Sequence, residues 1–197
     1  MKRLDLKCLP STLETPGAGK RYRKTLEFVN SIPTFGNVLS IGELSDIDVK
    51  IAQELTLKHY YTEGDLDYPG WQIVGEHPGR FDNVFIFEVI EHLINPMLML
   101  TELKRYIDKN TQIFISYPQS FLKKYMSPKH FHEMDVDRFE YMIDKAGYRI
   151  ETATSITTYF DKWYYPLIGI RPLLKTITFV DWYFKHHVKH FFLVKLI

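Results

Sequence analysis

The stretch FDNVFIFEVIEHLINPMLMLTELKRYI, residues 81–107, decides the fold. Residues 83–87, NVFIF, read as a buried strand: short, β-branched and aromatic, with no charge among them. Asn95-Pro96 then opens a helix, an N-cap side chain followed by proline at the first helical position. Met99, Leu100, Leu103 and Ile107 recur on one face of that helix. Between strand and helix stand Glu88, Glu91 and His92. Two carboxylates and an imidazole within five residues have no use inside a buried strand. They are either solvated loop residues or the lining of a site.

Outward from this stretch the same alternation repeats. Residues 37–42, NVLSIG, form a second buried strand. Residues 46–57 follow as a helix with Ile47, Ile51 and Leu55 inward and Ser45 or Asp46 as N-cap. Residues 59–62 predict another strand, ending in the turn-prone EGDLDYPG of residues 63–70, and 71–74 a short edge strand. Residues 112–117 are strand-like up to Pro118. Residues 135–146 place Val136, Phe139, Ile143 and Ala146 on one helical face, closed by Gly147, and 150–156 alternate like a strand. Upstream, 21–30 predict a short amphipathic helix through Tyr22, Leu26 and Val29, and residues 1–20, with two prolines and two glycines, an irregular arm. Strand and helix thus alternate at least four times, which predicts a mostly parallel, Rossmann-like α/β sheet with helices on both faces. Such sheets bind ligands at the carboxyl ends of their strands, near the switch in strand order. Glu88, Glu91 and His92 sit at one of those ends.

Composition narrows the function classes. A chain of 197 residues with net charge +1 suits one domain and gives no electrostatic case for wrapping nucleic acid. Its single cysteine, Cys8, excludes an intrachain disulfide and any multi-cysteine zinc site. Residues 1–20 lack the apolar core of a secretory signal, and no uncharged run approaches the ~20 residues of a membrane-spanning helix. A cytoplasmic protein is the expectation. Oligomeric state is not legible.

EVIEHL with the following Asn95-Pro96 resembles the fourth-strand signature of class I S-adenosylmethionine-dependent methyltransferases. The nearest branch holds ubiquinone-biosynthesis and small-molecule O-methyltransferases. Residues 111–118 resemble the family's fifth strand, and HFHE, 130–133, with the 135–146 helix and Gly147-Tyr148, is similar to its HF-x-E…AGF segment. The likeness covers residues 21–156. It implies a seven-stranded sheet whose C-terminal strand is antiparallel, a place that FFLVKL, 191–196, would fill. Residues 21–197 would then be one domain, with 159–190 inserted before the last strand. From Tyr159 onward the chain holds eleven aromatics, six Lys/Arg and two acids, the composition of an acceptor cover or of a surface in peripheral contact with lipid headgroups.

The resemblance also implies an activity: methyl transfer from S-adenosylmethionine to a hydroxyl, less readily a nitrogen or carbon, of a small molecule, glycan or lipid-linked intermediate. Gly42, with Glu43, would approach the cofactor after the first strand; Glu63 or Asp65 would take the ribose diol; Phe87 and Glu88 would border it at the fourth strand. His130 and His132 are the candidates for deprotonating the acceptor. Some relatives use a Glu-x-x-Glu-His cluster for a divalent metal, a role that Glu88, Glu91 and His92 could take, with His130 or His132 as a further ligand. One departure stands out. Ser40 occupies the place of the family's acid on the first strand, and the turn GELSD, 42–46, has one glycine where the family has several. A catalytically inactive binding or regulatory protein is therefore the rival expectation. The G-x-G-x-x-G fingerprint of dinucleotide enzymes is missing.

Overall fold

The computed structural model describes residues 16–120, 127–157 and 187–197. Helix α1, Pro16–Asn30, begins earlier than the sequence predicts, so the irregular arm loses its last five residues. Proline is compatible with a first helical turn, whose N–H groups lack intrahelical acceptors anyway. Residues 1–15 lie outside the described part. Strand β1, Asn37–Ser40, follows, then α2, Asp46–Glu54, whose N-cap is Ser45, its hydroxyl accepting from Asp48 N at 3.2 Å. Next come β2, Lys58–Glu63, the two-residue β3, Gln72–Ile73, and β4, Asn83–Phe87. A 3-10 turn at Ile90–His92 leads into α3, Pro96–Leu103, capped by Asn95. The chain then runs through β5, Gln112–Ser120, α4, Val136–Lys145, capped by Asp135, β6, Tyr148–Thr157, and β7, His187–Leu196.

All seven strands join one sheet in the order β3-β2-β1-β4-β5-β7-β6. Strands β2, β1, β4 and β5 pair in parallel, and β7 runs antiparallel to both β5 and β6. Edge strand β3 is also antiparallel, against β2. Two boundaries differ from expectation. Strand β5 continues through Pro118 because, among the described residues, beyond Ser116 it pairs with β7 alone, leaving a free side for a residue without an N–H. Strand β7 starts at His187, so residues 187–190 belong to the sheet rather than to the predicted insertion. The rest of that insertion, 159–186, lies outside the described residues.

The sheet is buried on both faces with the period of two that its strands dictate. Along β4, Val84 and Ile86 face α3 and α4 with Met99, Leu100, Phe139 and Ile143. Phe85 faces the other layer, with Phe28 and Val29 of α1 and Ile47 and Ile51 of α2. This explains why β4 reads as an unbroken apolar run. Strand order reverses between β1 and β4, which are joined at their carboxyl ends by Ile41 N–H donating to Phe85 O at 2.9 Å.

Candidate functional site

A cavity of about 620 Å³ opens above that reversal, at the carboxyl ends of β1, β2, β4 and β5. The turn after β1 supplies Gly42, Glu43, Leu44 and Ser45; the turn after β2 supplies Gly64, Asp65, Leu66 and Asp67. Phe87, Glu88, Val89, His92 and Leu93 close it from β4, Ser116 from β5, and Arg21 and Thr25 from α1. Leu44 forms part of the wall and leaves the space open. Of the expected cofactor contacts, Gly42, Glu43, Asp65, Phe87 and Glu88 border the cavity, while Glu63 is exposed at the end of β2 and does not.

Gly42 has a specific reason to be glycine. Its φ is +100°, and a Cβ there would stand 3.0 Å from Cγ2 of Val89. Its N–H donates to the Thr62 hydroxyl at 3.0 Å, locking the turn onto β2. Asp67 has a structural role: its carboxylate accepts from Asn95 N at 2.7 Å, tying the turn after β2 to the cap of α3. The acid absent from β1 has a neighbour in α2. Asp48 is 4% exposed, hydrogen-bonded to Ser45 and Ser40, and burial pushes its carboxyl up to about 7. Ser40 in turn shares a 2.8 Å hydrogen bond with His59, whose imidazole burial pushes down to about 4. Sequence reasoning placed Asp48 on the helix without seeing its side chain turn under the first strand.

Glu88 adopts φ +59°, a left-handed conformation that costs a residue with a Cβ roughly 1–2 kcal/mol. Its backbone N–H donates to Ser116 O at 2.9 Å, its carboxylate accepts from the Ser116 hydroxyl at 3.2 Å, and it forms a close ion pair with Lys189 of β7. Arg21 Nη1 lies 3.8 Å away on the other side. This carboxylate is thus committed to cations of the protein.

Behind Glu88, the 3-10 turn meets the segment before α4. Phe131 and His132 donate backbone N–H groups to Glu91 O at 2.7 and 3.2 Å, and His132 Nε2 donates to Ile94 O at 3.2 Å. His92 donates from Nδ1 to Lys129 O at 3.1 Å, which leaves Nε2 as its lone-pair nitrogen. His130 is held by Nδ1 against Glu133 at 2.5 Å. Ligand atoms of Glu91, His92 and His130 lie within 4.8 Å of one another. Glu91 is 1% exposed with burial pushing its carboxyl up to about 8, and both Glu91 and Glu133 keep a buried oxygen without a partner. Two orphaned carboxylate oxygens beside imidazole nitrogens fit a divalent cation. The structure therefore groups Glu91 and His92 with His130, and places Glu88 apart from them. His130 and His132 stand outside the cavity lining; His92 is the histidine that borders it.

A scan against protein-family models finds no match, and neither does a search of curated proteins. Solved structures do match. A SAM-dependent methyltransferase from Archaeoglobus fulgidus superposes with a TM-score of 0.60 at 12% identity, covering 90% of this chain and 94% of that one. Phosphoethanolamine N-methyltransferase 2 of Haemonchus contortus, solved with phosphomonomethylethanolamine and S-adenosylhomocysteine, gives 0.60 at 16% identity over 92% of this chain, which spans 53% of its length. The [4+2]-cyclase SpnF gives 0.56 at 12% identity, over 93% of this chain and 84% of that one. At such identities the likeness is one of fold, and a fold hosts more than one reaction. No helix among the described residues is long and apolar enough to cross a membrane. The chain has the Rossmann-like fold of the S-adenosylmethionine-dependent methyltransferases.

Proposed function

We propose that this protein transfers a methyl group from S-adenosylmethionine to a hydroxyl of a small molecule, glycan or lipid-linked intermediate. The observation that carries the reading is the open cavity of about 620 Å³ at the strand-order reversal, within the usual size of a small-molecule site. Gly42 lets backbone approach the cofactor, Asp65 is the carboxylate placed for the ribose diol, and Leu44, Leu66, Val89 and Leu93 supply apolar wall. In the transfer the acceptor oxygen attacks the methyl carbon in line with sulfur. The C–O bond forms, the C–S bond breaks with its electron pair passing to sulfur, and the hydroxyl proton leaves. Holding oxygen, carbon and sulfur in line supplies much of the acceleration.

The proton needs a base, and His92 Nε2 is the lone-pair nitrogen that borders the cavity, its ring fixed by the Nδ1 hydrogen bond to Lys129 O. His130 and His132 act from behind it, through the loop they anchor. A divalent cation, if bound, would be held by Glu91, His92 and His130 and would acidify the acceptor hydroxyl directly. The rival reading, an inactive scaffold, requires protein side chains to fill the cofactor space, and an open cavity with Leu44 in its wall favours the enzyme. Titration calorimetry with S-adenosylmethionine and S-adenosylhomocysteine is the test. Heat of binding for either supports the proposal; no binding of either at millimolar concentration overturns it.

A further inference from the structure

The acids of the cavity are unevenly placed. Glu43, Asp65 and Asp67 belong to the turns after β1 and β2, the side assigned above to the ribose. On the side built by β4 and β5, which carries His92, Glu88 is the one acid among the described lining residues. That carboxylate is neutralised from behind the wall. Lys189, whose side chain is 13% exposed, reaches it from β7 as a close ion pair, and Arg21 Nη1 stands 3.8 Å from the same oxygen. The Ser116 hydroxyl donates to the other oxygen at 3.2 Å. Burial and Arg21 draw the Lys189 ammonium toward its neutral form, and the carboxylate in contact with it opposes them. The arrangement also carries strain, since Glu88 meets this partner from a left-handed backbone at φ +59°. Strain kept at the ligand end of a strand points to the site rather than to the core.

We infer that Lys189 sets the acceptor class: by engaging Glu88 it closes the cavity to cationic acceptors and reserves it for neutral or anionic hydroxyl compounds. This rests on the methyltransferase reading above. At neutral pH an aliphatic amine arrives as an ammonium, and it must meet a carboxylate or shed its proton to be buried. The cofactor's sulfonium adds a further positive charge, so an ammonium beside it needs an unengaged acid. Glu88 with Lys189 attached offers none, and facing like charges exclude the wrong partner. A hydroxyl acceptor is uncharged and meets no such penalty.

Benzylammonium and benzyl alcohol share a skeleton and differ in charge, which makes them suitable probes. Calorimetry of both at neutral pH on the wild type, Lys189→Met and Lys189→Met/Glu88→Gln tests the inference. Benzylammonium should bind Lys189→Met roughly 10- to 100-fold more tightly than it binds the wild type or the double variant, the range of one charge-assisted pair. Benzyl alcohol should not distinguish the three. Circular dichroism verifies folding, and Lys189→Gln, which keeps a neutral donor beside Glu88, takes the place of Lys189→Met if the latter does not fold. Equal benzylammonium binding by the wild type and Lys189→Met, its survival in the double variant, or its absence from all three overturns the inference and makes the pair structural. S-adenosylhomocysteine binding by the wild type, measured alongside, keeps the two readings apart: its absence removes the methyltransferase reading whatever the probes do.

Discussion

Replacing Gly42 by alanine tests the turn on which the cavity depends. Two costs add. At φ +100° a Cβ enters backbone space that L-residues avoid, at roughly 1–2 kcal/mol. The same Cβ meets Val89 Cγ2 at 3.0 Å, an overpacked contact costing about 1–2 kcal/mol more. A total of about 3 kcal/mol corresponds to a fall in melting temperature of roughly 6–12 °C for a chain of this size. Gly70 separates the two costs. Its φ is +95°, yet a Cβ there would meet nothing within 4 Å, so Gly70→Ala should show the backbone cost alone. Adding Val89→Ala to Gly42→Ala should return the steric part, measured as a double-mutant cycle by urea denaturation. Equal stability losses in Gly42→Ala and Gly70→Ala, with no rescue by Val89→Ala, would refute the packing argument.

Asp65→Asn should weaken S-adenosylhomocysteine binding by about tenfold while Glu63→Gln leaves it unchanged, because Asp65 borders the cavity and Glu63 does not; calorimetry decides. Lys189→Met strands the Glu88 carboxylate and should cost about 3 kcal/mol in urea denaturation, recovered when Glu88→Gln is added. Asp48 titrates at about 7 in the folded protein against 3.8 in its absence, so the folded state binds the extra proton and its contribution to stability declines as pH rises between those values. Asp48→Asn should therefore gain stability relative to wild type from pH 4 to pH 7 in denaturation series; a pH-independent difference would contradict the burial. Manganese titrated into the protein should bind with an electron-paramagnetic signature that Glu91→Gln abolishes and Glu88→Gln retains, since Glu91 groups with His92 and His130 and Glu88 with Lys189.

What was legible in the sequence is whatever depends on neighbours within one element. β4 could be read because a strand covered on both faces must be apolar throughout, and α3 because Asn95-Pro96 is a local cap. The single glycine after β1, and the charged residues at the end of β4, could be placed at the sheet's ligand edge from strand–helix alternation alone. What only tertiary structure decided is which side chains meet there. Arg21, Asp48, Glu88, Ser116 and Lys189 come from five separate elements or turns, and the ion pair joining Glu88 to Lys189 spans 101 residues. No periodicity encodes such a contact. It exists because β7 inserts between β5 and β6, bringing Lys189 level with Pro118 and its charge against a carboxylate that the family resemblance had offered both as a cofactor contact and as a metal ligand. The partition of Glu88 from Glu91 and His92 is set in the same way, by a left-handed residue at the strand end and the loop behind it, where three-dimensional packing rather than distance along the chain determines which charge finds which partner.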